Sequence, residues 1–287
     1  MRLHLLLFLA LPLAAREPLE KRIGHTDPAR YRPAKSVHKG AGEVHFQAIF
    51  GADAFNTNIL FLHRGVIQPK SGIGHHFHNH MEEMFFILDN EAQFTIDGRT
   101  SSLIGPAAAP CRMGHAHAIY NPTDKPTEWM NIAVATIKGK YDNFDLGDDR
   151  AGAVLDGKPV FINALFDKAL LRSMPAMYGG KGTVRYRRAL PPEVFFTNWS
   201  YVDHLVIPAG SSVGKKVHEG VEELYYVISG DGSARIGNDS AAIHKGDAVP
   251  VLFNDVHSFE NTGTADLELL IVGAARTKWA LDTTEVK

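Results

Sequence analysis

The stretch GIGHHFHNHMEEMFFILDN, Gly72–Asn90, has a counterpart later in the chain, SVGKKVHEGVEELYYVISG, Ser212–Gly230. The two stretches align at an offset of 140 residues, the separation between His78 and His218. The same offset relates further identical pairs on both sides: Phe55 and Phe195, Thr57 and Thr197, Asn58 and Asn198, Pro110 and Pro250, His117 and His257, Asn121 and Asn261. Self-similarity at one fixed offset indicates a tandem duplication.

Each copy has the pattern of short β-strands. Met84–Leu88 (MFFIL) and Leu224–Ile228 (LYYVI) are runs of aromatic and aliphatic residues that end at turn-forming residues. Closely spaced turn signals without long helical segments predict an all-β fold, a sandwich or a closed barrel. We expect one barrel at 16–139 and another at 189–287, joined by a linker at 140–188 whose helical candidate is Phe166–Met174.

Composition narrows the classes of partner. The chain has 287 residues, of which 45% are hydrophobic and 22% charged, which is typical of a globular protein. A formal net charge of −2 argues against a nucleic-acid or membrane-surface partner. A small molecule is the expected partner, and a homo-oligomer is compatible with the sequence.

The first fifteen residues, MRLHLLLFLALPLAA, are typical of a secretory signal peptide, with Arg2 before an apolar run and small residues at Ala14 and Ala15. The run is too short to span a bilayer. The prediction is therefore a secreted or periplasmic protein; the alternative is a buried N-terminal strand or helix. Cys111 is the sole cysteine, so the chain cannot form an internal disulfide.

The histidines of the first copy have the spacing of a metal site. Side chains alternate between the two faces of a strand, so His76 and His78 project to the same side. Glu83 opens the next strand after a turn, and His117 lies in a third strand. Three imidazoles and one carboxylate suit one transition metal ion (Mn, Fe, Ni, Cu or Zn). They do not suit Ca²⁺ or Mg²⁺, which prefer oxygen ligands.

This arrangement resembles the two sequence motifs of the cupin superfamily, a His-X-His pair followed by a Glu, and later a lone His followed by an Asn. The first copy matches at His76, His78 and Glu83, then at Gly114, His117 and Asn121, with Asn90 and Arg112 in place of the usual Gly and Pro. The second copy matches at His218, Glu223, Gly230, Gly246, His257 and Asn261. The resemblance implies a bicupin, with two tandem double-stranded β-helix (jelly-roll) barrels and a quercetinase-like metal site in the N-terminal one.

The second copy departs from the motif at two positions. Lys216 stands where the first His belongs, and Asn254 replaces a glycine. One interpretation is an ion pair between Lys216 and Glu223 that takes the place of a metal ion. The other is a second metal site of two histidines and one carboxylate, His218, Glu223 and His257.

Other residues share strand parity with the ligands. His80 and His115 are therefore candidates for acid/base catalysis beside the metal, together with Glu83; the alternative for the two histidines is solvation at the barrel mouth. By the same parity Phe85, Ile87, Met113 and Ile119 are expected to wall a substrate pocket, although core packing would explain them equally well.

The resemblance implies a metal-dependent enzyme, and our first hypothesis is an oxidoreductase like the quercetinase-type dioxygenases, acting on a small phenolic or enolisable substrate. A second hypothesis is a lyase or isomerase of a sugar or keto acid that uses the same metal. Oxalate decarboxylation is disfavoured because no arginine is suitably placed near the first motif. A third hypothesis is a non-catalytic binding or storage cupin.

Overall fold

The computed structural model describes residues 16–287, and residues 1–15, with the expected signal peptide, lie outside it. The first half contains the helix α1 (Leu19–Arg22) and twelve strands. These are β1 (Gly24–His25), β2 (Arg32–Lys35), β3 (Glu43–Gly51), β4 (Ile59–Ile67), β5 (Gly72–His78), β6 (Met81–Ile87), β7 (Glu91–Ile96), β8 (Arg99–Ile104), β9 (Ala107–Cys111), β10 (His115–Tyr120), β11 (Thr127–Ala135) and β12 (Phe144–Asp145).

The second half repeats this order. Its strands are β13 (Ala164–Leu165), β14 (Arg172–Pro175), β15 (Thr183–Leu190), β16 (Trp199–Ile207), β17 (Ser212–Val217), β18 (Val221–Ser229), β19 (Asp231–Ile236), β20 (Asp239–His244), β21 (Asp247–Val251), β22 (His257–Asn261), β23 (Leu267–Ala275) and β24 (Thr284–Glu285). Single 3-10 turns lie at Pro28–Arg30, Val37–Lys39, Ala52–Ala54, Lys168–Leu170, Met177–Gly179 and Pro192–Val194. None of the helices within 16–287 is long and apolar enough to cross a membrane.

Each half builds a jelly-roll barrel from a seven-stranded and a five-stranded sheet. The N-terminal barrel has the strand orders β13-β9-β6-β11-β4-β3-β2 and β12-β5-β10-β7-β8. The C-terminal barrel has β1-β21-β18-β23-β16-β15-β14 and β20-β19-β22-β17-β24. Adjacent strands pair antiparallel throughout these sheets. The predicted all-β fold with two tandem barrels is confirmed.

The two barrels exchange short strands. β1 comes from the first half of the chain but pairs with β21 of the C-terminal barrel, where Gly24 lies opposite Ala248. β13 comes from the second half but pairs with β9 of the N-terminal barrel, where Ala164 lies opposite Ala108. Each large sheet is therefore completed at one edge by the other half of the chain.

Two buried carboxylates also join the barrels. Glu82 accepts hydrogen bonds from the backbone N–H groups of Phe196 and Thr197, each at 2.8 Å. At the equivalent place in the other barrel, Glu222 accepts from the backbone N–H groups of Asn56 (2.9 Å) and Thr57 (2.8 Å). Around these bonds, apolar side chains of both halves form one shared core, which includes Phe55, Leu62, Phe86, Phe195, Trp199 and Val202.

Parts of the segment 140–188, which we expected to link the barrels, belong to the sheets themselves. β12 pairs with β5, whereas β14 and β15 belong to the large sheet of the C-terminal barrel. The helix expected over Phe166–Met174 is only the turn Lys168–Leu170, followed by β14. This segment repeats the start of the first copy. Asp167 accepts a hydrogen bond from the N–H of Ala169, as Asp27 does from that of Ala29, and in both copies the carboxylate caps a single turn.

Candidate metal centre

Three strands of the N-terminal barrel bring the predicted ligands together. β5 carries His76 and His78, β6 carries Glu83 near its start, and β10 places His117 directly opposite His76. All four side chains are buried, and each offers one donor atom within 4.8 Å of the others. His76 and His78 therefore project to the same side of β5, as predicted.

The donor atoms are tightly spaced. Nε2 of His117 lies 3.0 Å from Nε2 of His76 and 3.2 Å from Nε2 of His78. Oε2 of Glu83 lies 2.9 Å from His117, 3.0 Å from His78 and 3.4 Å from His76. Atoms that each lie about 2.0–2.2 Å from a common centre, at angles between a right angle and the tetrahedral angle, have this mutual spacing.

The tautomers of two histidines also favour a cation. Nδ1 of His76 donates to the carbonyl of Gly74 at 2.8 Å, and Nδ1 of His78 donates to the carbonyl of Asp142 at 2.6 Å. An imidazole that donates through Nδ1 is free to present a lone pair at Nε2. Several lone pairs and a carboxylate would repel one another at these distances unless a positive charge lies among them. The residues thus fit a bound transition metal ion, the cofactor expected from the sequence.

Asn131 on β11 fixes the orientation of Glu83. Its Nδ2 donates to Oε1 at 2.6 Å, which leaves Oε2 facing the histidines. Burial alone would raise the pKa of Glu83, but its side-chain interactions with His117, His76 and His78 outweigh burial and hold the pKa well below its usual range. Glu83 is therefore ionised and available as a ligand.

His117 is held by packing. Its ring stacks on Phe85, with the ring centroids 4.3 Å apart and an interplanar angle of 8°. Within the described part of the chain, Nδ1 of His117 has no hydrogen-bond partner. Burial, reinforced by the neighbouring His76, lowers the pKa of His117 to about 3. The ring is thus neutral at ordinary pH, as a metal ligand must be.

A cavity of about 390 Å³ adjoins the cluster and reaches His76 and Glu83. Aromatic and aliphatic side chains form most of its wall: Val37, Val44, Phe46, Leu60, Phe61, Ile73, Phe85, Trp129 and Tyr141. Besides the two ligands, the lining contains polar groups from His38, His63 and Asn131 and the hydroxyl of Tyr141. No lysine or arginine lines it among residues 16–287. The wall of the cavity is therefore mostly apolar, and its described residues include no cationic lysine or arginine side chain.

Of the four predicted pocket residues, Phe85 lines this cavity. Ile87 and Ile119 instead pack in the barrel core with Phe94 and Leu103, because they lie deeper in the barrel than the cavity reaches. Met113 lies in the turn before β10 and does not line the cavity either. For these three positions the core or turn interpretation replaces the pocket prediction.

The structure does not bring the two further histidines to the cavity. His80 is exposed in the turn between β5 and β6, after the alternation of β5 has ended. His115 is the first residue of β10, and its Nδ1 is 2.6 Å from Oδ2 of Asp97 on the outside of the barrel. Strand parity predicts a shared face only where both residues lie well inside the strand.

The structure adds four polar residues that the motifs did not indicate: His38, His63, Asn131 and Tyr141. His38 stacks on His76 with a centroid distance of 3.9 Å, and its Nδ1 is 2.7 Å from Oδ1 of Asp145. The repeat contained a signal for all four, because the offset of 140 places Tyr178, Asp203, Ile271 and Leu281 at the equivalent positions. Positions at which the two copies differ therefore indicate cavity residues of the first barrel, just as identical positions indicate the shared fold.

The equivalent place in the C-terminal barrel holds both the candidate ligands and the lysine. Oε2 of Glu223 is 3.2 Å from Nε2 of His218 and 3.0 Å from Nε2 of His257. Lys216 donates to Oε1 at 2.9 Å. Burial would raise the pKa of Glu223, but Lys216 and His218 outweigh it, so the carboxylate is ionised. The expected ion pair is therefore present among the three candidate ligands.

Tyrosines fill the rest of this barrel. Tyr201 donates to Oε1 of Glu223 and Tyr225 donates to Oε2, each at 2.9 Å. Their equivalents in the first barrel are Phe61 and Phe85, which carry no hydroxyl. The cavity beside Glu223 measures only about 30 Å³. Little room for a substrate therefore remains beside Glu223.

Fold and site together define a metal-binding protein built from two jelly-roll barrels. A cupin domain profile matches residues 203–273, in the C-terminal barrel. The oxalate-binding protein of Thermotoga maritima is 38% identical over 96 residues, 33% of this chain and 79% of that protein. An uncharacterized protein of Methanocaldococcus jannaschii is 27% identical over 84 residues, 29% of this chain and 67% of that protein. The chain belongs to the cupin superfamily, and its duplication makes it a bicupin.

Solved structures support the same architecture. Oxalate decarboxylase from Bacillus subtilis superposes with a TM-score of 0.63 and 14% identity, and the match covers 92% of this chain and 78% of that one. Another structure of that enzyme, which concerns its Mn(II) centres, superposes with a TM-score of 0.63 and 14% identity, and the match covers 92% of this chain and 79% of that one. At this level of identity the likeness shows the fold.

Proposed function

We propose that the N-terminal barrel is the active site of a metal-dependent dioxygenase that acts on a small phenolic or otherwise enolisable substrate. The observation that carries this proposal is the apolar, aromatic-lined cavity of about 390 Å³ that opens directly onto His76 and Glu83. A site of this kind binds a flat, uncharged ring by burial of its faces.

The residues of the chain have distinct roles in this proposal. His76, His78, His117 and Glu83 would hold a metal ion, which would supply Lewis-acid polarisation of a substrate oxygen and a means of engaging O₂. Phe61, Phe85 and Trp129 orient the ring and exclude water. Glu83 would accept the proton of the substrate hydroxyl at Oε2, because Asn131 occupies Oε1, and Oε2 would not serve as a metal ligand while it carries that proton.

Oxalate is the second candidate, since one relative is named an oxalate-binding protein. A dianion of that size calls for cationic side chains beside the metal. The cavity lining contains neither lysine nor arginine among the described residues, and its walls are mostly apolar. These features favour the phenolic substrate, and they count equally against an anionic keto acid.

Oxygen uptake by the metal-loaded protein tests the reaction class. The panel contains neutral phenols and flavonol-like enols, oxalate, keto acids and sugars. We expect oxygen consumption with the enolisable phenolics and none with oxalate. Turnover of oxalate, a keto acid or a sugar under anaerobic conditions would instead establish a lyase or isomerase. Binding of phenolics without turnover under any of these conditions would leave a binding protein.

Export is part of the proposal and rests on residues 1–15 alone. The expected result is that the protein expressed from its full sequence accumulates outside the cytoplasm and lacks these residues. Intact N-terminal sequence in the cytoplasmic fraction would contradict it.

A further inference from the structure

His63 is a polar side chain of the cavity with no assigned role. It lies on β4, where Leu62 packs in the core shared by the barrels while Phe61 and His63 line the cavity. Its imidazole lies flat on the ring of Phe61, with the centroids 4.2 Å apart and an interplanar angle of 3°. Neither ring nitrogen forms a hydrogen bond with another residue of the described chain. The ring is held in place with its hydrogen-bonding capacity unused.

The sheet register locates His63 relative to the metal cluster. Ala133 of β11 lies opposite both Glu83 of β6 and Phe61 of β4, and Asn131 lies opposite both Phe85 and His63. His63 is therefore two strands away from β6. It lies level with Phe85, two residues along the strands from the level of Glu83. With neighbouring strands about 4.8 Å apart, the backbones of His63 and the metal-binding strand are roughly 10 Å apart. Both side chains line the same cavity, so one ligand can contact His63 and Glu83 together.

The second barrel uses the equivalent position differently. Asp203 replaces His63 there and accepts hydrogen bonds from Arg188 at 3.0 Å and from Tyr186 at 2.7 Å. The equivalents of these partners in the first barrel are Ala48 and Phe46, which can make no such bond. The first barrel thus has an empty space and an unengaged imidazole where the second barrel has an internal ion pair.

The electrostatics of the position limit what His63 can bind. Burial lowers the pKa of His63, so the imidazole is neutral at ordinary pH and can both donate and accept a hydrogen bond. Neither lysine nor arginine lies in the cavity wall within residues 16–287. The matching group is therefore an uncharged hydroxyl or carbonyl rather than a carboxylate or phosphate.

We propose that His63 is a specificity-determining residue, which binds a second oxygen function at the end of the substrate remote from the metal cluster. The inference rests on the proposed function and narrows it. The substrate class becomes a flat aromatic molecule with two uncharged oxygen groups at opposite ends, one facing Glu83 and one facing His63.

A matched pair of neutral ligands tests this. 2,6-Dihydroxynaphthalene and 2-naphthol differ by one hydroxyl at the far end of the ring system. Both are titrated calorimetrically, without O₂, into the metal-loaded wild-type protein and into His63→Phe, His63→Gln and the surface control His244→Phe. A single hydrogen bond of ordinary strength predicts that the wild type prefers the diol by roughly three- to tenfold.

His63→Phe keeps the flat ring on Phe61 but removes the nitrogens, so the preference should disappear while the affinity for 2-naphthol and the metal content persist. His63→Gln should retain part of the preference, and His244→Phe all of it. Equal affinities in the wild type, or a preference that survives His63→Phe, would overturn the role of His63. Failure of oxygen uptake with an intact diol preference would refute the dioxygenase but not this subsite.

Discussion

Asn131 donates a hydrogen bond of 2.6 Å from Nδ2 to Oε1 of Glu83. One amide on β11 thereby determines which oxygen of the carboxylate faces the three histidines. At the equivalent position in the C-terminal barrel stands Ile271, and there Oε1 of Glu223 is bound by Lys216 and Tyr201 instead. The equivalent carboxylates Glu83 and Glu223 are therefore oriented by different partners, an amide in one barrel and an ammonium and a hydroxyl in the other.

The first prediction follows from this bond. Asn131→Ile copies the second barrel and should fold, because an isoleucine already occupies the equivalent strand position. Loss of a partner that orients a ligand typically weakens metal binding about 10- to 100-fold. Competition with a chelator measures the change. An unaltered metal affinity would show that Glu83 is oriented without Asn131.

The second prediction concerns metal stoichiometry. His76→Ala combined with His78→Ala removes two of the four donors and should empty the protein of tightly bound transition metal, which elemental analysis measures. The control is His244→Ala, which removes an exposed histidine. Metal content that stays near one ion per chain in the double variant would place the site elsewhere.

The third prediction separates the two roles of Glu83. Glu83→Gln leaves three imidazoles to hold the ion but removes the proton acceptor at Oε2. Turnover should fall by about 100-fold or more, the usual contribution of a general base, while metal content falls less. Parallel losses of metal and turnover would reduce Glu83 to a ligand.

The fourth prediction concerns the second barrel. Lys216→His supplies the missing imidazole, but the hydroxyls of Tyr201 and Tyr225 would still bind Glu223. We expect a second metal ion per chain only when Tyr201→Phe and Tyr225→Phe are added, because these changes reproduce Phe61 and Phe85 of the first barrel. Two ions per chain in the wild type would establish His218, Glu223 and His257 as a metal site despite Lys216.

The fifth prediction is a pH dependence of the metal-free protein. The pKa of His117 is about 3 in the folded state and near 6.5 when unfolded, so the unfolded state takes up the proton first as the pH falls. The contribution of His117 to the free energy of unfolding is therefore complete above pH 6.5 and is lost as the pH falls from about 6.5 towards 3. Thermal unfolding of chelator-treated protein at several pH values should show this loss.

His117→Gln provides the comparison for that experiment, since it removes the titrating group. The variant should lose less stability across the same pH interval than the wild type does. The pKa of His78 is raised, because its bond to Glu83 outweighs burial, and this acts in the opposite direction in both proteins. Identical pH profiles would mean that protonation of His117 does not limit the stability of the folded state.

The recurrence of identical residues at one offset predicted the two barrels, and the spacing of histidines along a strand predicted the metal ligands. It could not separate Phe85 from Ile87, since strand parity gives the face of a residue but not its depth in the barrel. It also missed His38, which reaches His76 from a turn with a left-handed backbone (φ 50°). Such a turn has no periodicity from which a contact could be predicted.

The exchange of β1 and β13 implies that the chain is, in effect, a domain-swapped homodimer whose two subunits have been fused. Cutting it between residues 139 and 140 would leave β9 without β13 and β21 without β1, so each excised barrel would expose an unpaired edge. A single-barrel ancestor with the same arm would have needed a second copy of itself to bury that edge. Joining both barrels in one chain keeps the two edges covered even though Lys216 stands in one barrel where His76 stands in the other.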